Sequence, residues 1–199
     1  MLQINLTGVH LDVAAQTFAA MQRQFRERHA LVFQQALEPA LLTRFQSLLS
    51  RSSFQTRPVP KVGEQEIETP PVVARALSFA LGSKPLIDWV NRVTMCTVSA
   101  HLLGGIARHQ AGKQHRLDWH DDHLDKPVRQ LAITINLSTV PYKGGDFELR
   151  AKGQTEILFH HHHCDPGSIV LFRVDNKLEH RVTPVDTGGP RLVYAGWFA

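Results

Sequence analysis

The chain has 199 residues, 43% of them hydrophobic and 20% charged, so it is long and apolar enough to bury one sizeable core. Its 22 Lys and Arg against 18 Asp and Glu leave a net charge of +4, but the basic residues are scattered, which argues against a nucleic-acid-binding surface. Only Cys96 and Cys164 are cysteines, which excludes a dense disulfide framework. Because neither a signal peptide nor a membrane-spanning run is evident, we expect a cytoplasmic protein.

The first 95 residues are predicted to be mainly helical. One apolar stripe predicts a first helix; its members are Leu11, Ala14, Phe18, Met21 and Phe25. A short strand is expected at 30–33, followed by a helix over 38–50 that starts with Pro39 in its first turn. We expect 57–71, rich in Pro and polar residues, to be a connection. Two further helices are predicted at 72–81, closing on Gly82, and at 83–93, with Ser83 as its cap.

From Cys96 onward the pattern changes to short β-like runs separated by turn residues. These runs span 97–109, 131–138, 146–150, 155–159, 168–172, 180–185 and 191–198. Such spacing is typical of a β-sandwich or barrel. No repeat or linker marks a second domain, so 1–199 is predicted to be a single domain, with 1–95 supporting a β core at 96–199.

The ten residues "RLDWHDDHLD", 116–125, hold two histidines and four aspartates. Residues i and i+2 of a strand share a face, so His120 and Asp122 can converge on one ion while Asp121 points away. His180 is the candidate for the third ligand. Two histidines and one carboxylate leave adjacent coordination positions open, as in non-haem iron(II) oxygenases. A lone His-x-Asp also occurs by chance, so this motif alone does not decide between a metal site and a solvated acidic loop.

The C-terminal half resembles the prolyl-4-hydroxylase-like branch of the iron(II)/2-oxoglutarate-dependent dioxygenases. The matching features, in order, are Gly112, His120 with Asp122, Gly144 and Gly145, Pro166 and Gly167 with Phe172, His180 through Val185, Gly188 and Gly189, Arg191 and Trp197. The resemblance covers about 96–199. It implies a mainly β protein with flanking helices, whose core is a double-stranded β-helix of the jelly-roll or cupin type packed by the N-terminal helices.

The resemblance also implies cofactors and residue roles. Fe(II) would be held by His120, Asp122 and His180, and Arg191 would pair with the distal carboxylate of the co-substrate 2-oxoglutarate, a task that suits a planar guanidinium. Dioxygen is the second co-substrate. His109 stands where relatives often carry Tyr, and we assign it and Val182 to cofactor binding. Arg191 lies eleven residues after His180, further than expected for the family, and the added Gly-Gly-Pro turn is expected to absorb the difference.

The implied reaction is hydroxylation of an unactivated C–H bond in a peptidyl or small-molecule substrate, such as an amino acid or natural product, with release of succinate and CO2. A carboxylate at Asp122 favours a hydroxylase over halogenating relatives, which have a small residue there. From position alone, Arg129 and Asn136 are expected to line the pocket. The sequence identifies neither the substrate nor the oligomeric state.

Two alternatives stay open on sequence. One is a non-oxygenase, cupin-like barrel that uses the same ligands in a binding or isomerase role, for which Arg191 would be dispensable. The other is a structural or metal-storage module in which the internal tract "HHHHC", His160 to Cys164, is the operative feature. The tract lies where the family has no ligand, so a His-rich loop edge is its expected role.

Overall fold

The computed structural model describes residues 2–123 and 128–198, and four helices lie within these ranges. They are α1 (Ala15–Arg28), α2 (Pro39–Leu49), α3 (Val72–Leu81) and α4 (Lys84–Thr94). None of the helices in the described ranges is long and apolar enough to cross a membrane. Leu124 and Asp125, the last residues of the acidic stretch, lie outside the described residues.

Strands make up most of the remaining regular structure. In chain order they are β1 (Leu2–Asn5), β2 (Gly8–Leu11), β3 (Ala30–Phe33), β4 (Phe54–Val59), β5 (Gly63–Glu68), β6 (Leu102–His109), β7 (Arg116–His120), β8 (Leu131–Asn136), β9 (Tyr142–Gly144), β10 (Phe147–Ala151), β11 (Ile157–His161), β12 (Ile169–Arg173), β13 (Leu178–Val182), β14 (Val185–Gly188) and β15 (Arg191–Phe198). Fold class is therefore as predicted, mainly β with helices in the first half.

One antiparallel sheet carries the architecture. Its strands follow the order β11-β10-β13-β7-β5-β6-β15-β8-β12-β3, and β4 pairs with β5 at the side of this path. Few strands that are consecutive in the sequence are neighbours in the sheet, because the chain crosses repeatedly from one part of the sheet to another. This order brings β7 and β13, which carry the predicted histidines, next to each other.

Two apolar cores lie on the two faces of the sheet. On β12, Ile169 and Leu171 pack into the core shared with the helices, while Val170 and Phe172 face a second core inside the curved sheet. Both sets are buried, as expected for a continuous apolar run in a strand covered on both sides. The helices therefore cover one face of the sheet, and the other face encloses the second core and a cavity.

Three sequence predictions need correction. Helix α1 starts at Ala15, and Leu11 belongs to β2, because the apolar spacing continues by coincidence across the turn between them. The predicted connection at 57–71 is mostly the hairpin β4–β5. Ser83 does occupy the N-cap of α4, but its side chain makes no capping hydrogen bond. The strand at 30–33 and helices α2 and α3 are confirmed.

Candidate active site

His120 and His180 are brought together by strand pairing. They lie directly opposite each other on the antiparallel neighbours β7 and β13. Opposite residues of such a pair project from the same face at short range, and the two imidazole rings are 4.3 Å apart between centroids. A separation of sixty residues in sequence is therefore bridged by one cross-strand pair.

Asp122 completes a compact group of three. Its Oδ2 is 3.3 Å from His180 Nε2 and its Oδ1 is 3.8 Å from His120 Nε2. One ligand atom from each of the three residues lies within 4.8 Å of the others, and no other such group occurs in the described part of the chain. The strand ends at His120, so Asp122 reaches the group from the segment after β7 and not along a strand face as predicted. Asp121 turns away and pairs with Lys152.

Neighbouring groups orient these side chains. His120 Nδ1 is 2.7 Å from the carbonyl oxygen of Asp118, which only accepts, so Nδ1 carries the proton and Nε2 is left with its lone pair toward Asp122. Trp197 donates its indole N–H to Asp122 Oδ2 at 2.8 Å. Supports of this kind fix the orientation of metal ligands in proteins. The Trp197 contact joins positions 75 residues apart, and sequence reasoning missed it.

The protonation states suit a divalent cation. Burial, and then the charge of His180, lowers the pKa of His120. Burial alone would raise the pKa of Asp122, but the hydrogen bond and charge of His180, with smaller contributions from His120 and Trp197, bring it to about 2. A neutral imidazole and an ionised carboxylate are the ligand forms that metals require. These states of His120 and Asp122 suit the binding of a divalent cation such as Fe(II).

A cavity of about 600 Å³ opens beside this group. Alternate residues of β15 line it from one end to the other: Arg191, Val193, Ala195 and Trp197. Most of its other lining is apolar and comes from β5, β6, β8 and β13. This is the usual composition of a small-molecule site, with a few polar groups set in apolar walls.

Arg191 is a buried cation at the inner end of the cavity. It is 3% exposed, and its Nε has no hydrogen-bond partner. Its guanidinium hydrogen bonds the hydroxyl of Tyr142, and no carboxylate in the described residues pairs with it. Burial of the guanidinium lowers its pKa, which reflects the cost of an unpaired buried charge. An anionic ligand in the cavity would remove that cost, so this end could hold a carboxylate.

Glycine at 145 makes room for this arginine. Gly145 has φ +67°, and a Cβ there would lie 2.7 Å from Arg191 Cδ. Both the backbone conformation and the close approach therefore require a residue without a side chain. The Gly-Gly turn singled out in the sequence is explained by this packing.

His109 and Val182 lie in the wall of the same cavity. His109 is opposite Arg191 on β6, is 1% exposed, and has an Nδ1 without a partner. Burial, followed by the charges of Arg191 and His115, lowers its pKa well below the ordinary value, so the ring is neutral. Val182 contributes an apolar surface, being 8% exposed at the end of β13. Their assignment to cofactor binding stays a prediction.

The two residues assigned to the pocket by position behave differently. Arg129 lines the cavity, with its guanidinium carbon 4.5 Å from the centre of the Trp197 ring. Asn136 does not line it. Its side-chain amide donates to the carbonyl of His163 and its Oδ1 accepts from the backbone of Ser138, so this position has a structural role and the expectation for it was wrong.

The histidine tract is spread over different environments. His160 and His161 end β11, whereas His163 is fully buried, and burial lowers its pKa to about 3. His160 and His162 both contact Asp146, at 3.4 and 2.6 Å. Although two of the histidines share this carboxylate, the tract does not form a group of three close ligand atoms in the described part of the chain. The structure gives no support to the tract as the operative metal site.

The hairpin β4–β5 is the part of the site that the sequence did not reveal. Arg57 and Gln65, an opposed pair on β4 and β5, both line the cavity, as does Ile67. The alternating run "EQEIE" and the Gly at 63 were the available signal, but prolines nearby made the stretch resemble a connection. A wall of the cavity thus comes from the N-terminal half.

An imidazole pair and a carboxylate lie beside a cavity with a buried arginine, inside an antiparallel double-stranded β-helix. These features together define the class as metal-dependent enzymes that use an anionic co-substrate. Residues 104–199 match the sequence model of the 2OG-Fe(II) oxygenase superfamily. Through this segment the chain is similar to a superfamily that uses Fe(II), 2-oxoglutarate and dioxygen, and the His120, Asp122 and His180 group could hold the metal. The predicted family, fold class and cofactors are confirmed.

Solved structures share the fold across almost the whole chain. A 2OG-Fe(II) oxygenase family oxidoreductase from Burkholderia pseudomallei is 14% identical with a TM-score of 0.70, covering 100% of this chain and 96% of that one. A Pseudomonas putida prolyl-4-hydroxylase is 18% identical (TM-score 0.64; 91% and 97% covered). A Trichoplax adhaerens prolyl hydroxylase, in complex with a hypoxia inducible factor peptide fragment, is 13% identical (0.67; 94% and 93%). A sequence search of curated proteins finds no significant match.

Proposed function

We propose that this protein is an Fe(II)/2-oxoglutarate-dependent dioxygenase that hydroxylates an unactivated C–H bond of a peptidyl or small-molecule substrate. The observation that carries the proposal is one cavity holding both the His120, Asp122 and His180 group and the buried, unpaired guanidinium of Arg191. Burying the unpaired guanidinium of Arg191 is costly, and a metal-binding barrel without a co-substrate would gain nothing from it. Because both cysteines are free, a reducing cytoplasmic location belongs to the proposal.

In this proposal the three ligands hold Fe(II) and leave part of its coordination open. Two imidazoles and one carboxylate on one side of Fe(II) leave its remaining positions to co-substrate and dioxygen. The carbonyl of Asp118 keeps His120 in the required tautomer, and the indole of Trp197 holds Asp122 ionised and oriented. Asp122 itself supports hydroxylation, because it fills the ligand position that a small residue would leave open.

Arg191 would hold the distal carboxylate of 2-oxoglutarate. Its guanidinium is fixed by Tyr142 and packed over Gly145, so it meets the co-substrate without further ordering. The neutral ring of His109 and the apolar surface of Val182 would bound the same space. When bound, Fe(II), 2-oxoglutarate and dioxygen supply the oxidation, in which R–H, O2 and 2-oxoglutarate become R–OH, succinate and CO2.

The apolar walls have a protective role in this reaction. Val193 and Ala195 on β15 and Ala107 on β6 give the cavity an apolar wall. Excluding water strengthens the charge pairing at Arg191 and limits side reactions. The substrate C–H bond would enter at the opposite end, near Trp197, because the inner end is filled by Arg191 and His109.

The test is an anaerobic titration of the metal-free protein with Fe(II) and then 2-oxoglutarate, followed by visible absorption. We expect the weak charge-transfer band of a metal-chelated 2-oxo acid in the wild type. The band should be absent in His180→Ala, which lacks a ligand. In Arg191→Gln it should need at least about tenfold more 2-oxoglutarate, because a charge-assisted pair is lost.

His160→Ala is the matched control, since it removes a histidine from the tract and should keep the band. A folded, metal-loaded wild type without the band would contradict the proposal and favour the cupin-like binding barrel. A band that survives in His180→Ala and disappears in His160→Ala would instead assign the metal to the histidine tract.

A further inference from the structure

The charged residues that line the cavity are unevenly balanced. Two are acidic, Asp122 and Glu68, and three are arginines, Arg57, Arg129 and Arg191. Asp122 belongs to the metal group. Glu68 is 1% exposed, and its carboxylate accepts from the backbone N–H groups of Val73 and Ala74 and from the hydroxyl of Ser52. Neither carboxylate is free to bind a substrate, so among the residues that the structure describes, the charges that the cavity offers to incoming molecules are positive.

Arg129 lies at the end of the cavity opposite Arg191. It stacks on Trp197, whose indole N–H donates to Asp122, so Arg129 lies beside the metal group, whereas Arg191 is six residues away along β15. The 2-oxoglutarate that Arg191 would hold turns its other end to the metal group, so both of its carboxylates would be in use and neither would be left for Arg129. Arg129 is therefore a separate anion-binding position on the side where a substrate would enter.

The stacked geometry prepares Arg129 to bind a carboxylate. A guanidinium lying on an aromatic face keeps the N–H groups of its edge free for two parallel hydrogen bonds, and its position is already restricted. In residues 2–123 and 128–198 no carboxylate forms an ion pair with Arg129 or Arg57. Arg57 lines the cavity from the hairpin β4–β5 and is exposed, so it can approach the same ligand from another wall.

Much of the cavity wall is apolar, and part of it leaves open space. Gly105 and Ala195 form an opposed pair on β6 and β15, and a Cβ at Gly105 would meet nothing within 4 Å. Leu103, the next residue toward the outer end on the same face, lines the cavity while 52% exposed. Val59 and Ile67 complete this surface from the hairpin. Such walls suit an apolar molecular body.

We propose that the substrate is a small carboxylic acid with an apolar body, whose carboxylate is bound by Arg129 with help from Arg57. This inference rests on the proposed function, because it takes the metal group and Arg191 to be occupied by Fe(II) and 2-oxoglutarate. It narrows the substrate class from peptides or small molecules in general to small anionic ones. Arg129 is then a specificity-determining residue.

The experiment compares acids with their uncharged amides on the protein loaded anaerobically with Fe(II) and 2-oxoglutarate. The probes are hexanoate, 3-phenylpropanoate and N-acetyl-leucine, each paired with its primary amide, and one proline peptide blocked at both ends. Binding is measured by calorimetry and by the change in the charge-transfer band. We expect at least one acid to bind about tenfold or more tightly than its amide, as charge-assisted pairing predicts.

Variants at Arg129 locate the effect. In Arg129→Gln the ratio between that acid and its amide should fall below about twofold, and Arg129→Lys should recover part of it, since the charge returns without the planar edge. Arg92→Gln is the matched control, because Arg92 also stacks on an aromatic ring, Phe18, but lies outside the cavity. This control should keep the full ratio.

Three results would overturn the inference: equal binding of every acid and its amide, an acid preference that survives in Arg129→Gln, or tightest binding by the blocked peptide. The wild-type band separates this failure from failure of the proposed function. With the band present, any of these results rejects only the anionic substrate. With the band absent, the proposed cofactor chemistry itself is rejected.

Discussion

At the scale of single residues, the contact between Trp197 and Asp122 is the one most directly open to test. The indole N–H supplies a hydrogen bond that favours the ionised carboxylate, so Trp197→Phe removes it while keeping an aromatic ring under Arg129. We predict that Fe(II) affinity falls by about 10- to 100-fold, the usual effect of losing a group that orients a metal ligand. Anaerobic titration with calorimetric detection measures it.

Trp119→Phe is the control for that experiment. Trp119 is next to His120, but its ring is stacked between Arg150 and Arg181, 3.8 and 4.8 Å from their guanidinium carbons, on the other face of the strand. A phenyl ring can keep both stacks. If both variants lost metal affinity equally, the indole of Trp197 would have no specific role.

Residue patterns explain why parts of the site were visible in the sequence and others were not. A His-x-Asp motif and a distant histidine can be recognised because metal binding allows few residue types. Asn136 was misjudged, since the choice between lining a cavity and bonding the carbonyl of His163 depends on tertiary contacts that no local pattern records. The Trp197 contact was missed for the same reason.

At the scale of elements, adjacent glycines on β6 should respond in opposite ways to substitution. A Cβ at Gly104 would lie 2.4 Å from the ring of Tyr194, which is fully buried and hydrogen bonded to Ser78. A Cβ at Gly105 points into the cavity and meets nothing within 4 Å. We predict that Gly104→Ala destabilises by about 1–3 kcal/mol through overpacking.

Gly105→Ala should be neutral or stabilising by less than about 1 kcal/mol, because it only restricts the unfolded chain. Chemical denaturation of the two variants side by side decides the matter. Equal destabilisation would show that the backbone of β6 requires glycine at both 104 and 105, independently of the Tyr194 contact.

The hairpin β4–β5 is joined to the sheet by a cross-strand ion pair. Arg108 on β6 lies opposite Glu66 on β5 and donates to its carboxylate at 2.6 Å, and Gln110 donates to the same oxygen at 2.7 Å. Burial alone would raise the pKa of Glu66, but these hydrogen bonds hold it below its ordinary value. The stabilisation is therefore present above the pKa of the unfolded chain and is lost as the pH falls through the lower folded value.

We predict that Glu66→Gln lowers the free energy of unfolding by about 1 kcal/mol near neutral pH. The difference from wild type should shrink as the pH falls through the folded-state pKa of Glu66, because the wild-type side chain then becomes uncharged like glutamine; denaturation at neutral and at acid pH would reveal this. Glu156→Gln, at an exposed position, should change stability by less than about 0.5 kcal/mol. A difference that persists unchanged at low pH would refute the ionic contribution.

Element prediction succeeded where one physical signal dominated. The β runs after residue 100 alternate or are continuously apolar, and strands formed there. The hairpin was missed because β4 is at the side of the sheet, where Pro58 is tolerated, and because the polar residues of β5 are used in contacts such as that with Arg108. Pairing between distant strands, which sets the His120 to His180 contact, could only be expected through the family resemblance.

At the scale of the whole molecule, the two metal-binding alternatives differ in how an ion changes stability. An ion that binds only the folded chain stabilises it by about 2.7 kcal/mol at a free concentration of 100 times Kd. For a chain of this size that corresponds to a rise in Tm of roughly 5–10 °C. The triad exists only in the folded protein, because His180 reaches His120 and Asp122 through the pairing of β13 with β7.

The histidine tract behaves differently, since consecutive histidines can bind an ion in the unfolded chain as well, which reduces any stabilisation. We predict that anaerobic Fe(II) raises the Tm of the wild type and of a variant carrying His160→Asn, His161→Asn and His162→Asn, with an equal or larger rise in the variant. His120→Ala should show little or no rise. His163 stays unchanged in this design, because it is fully buried and its backbone carbonyl accepts from Asn136. The opposite result, a rise kept by His120→Ala and lost by the tract variant, would move the metal site to the tract.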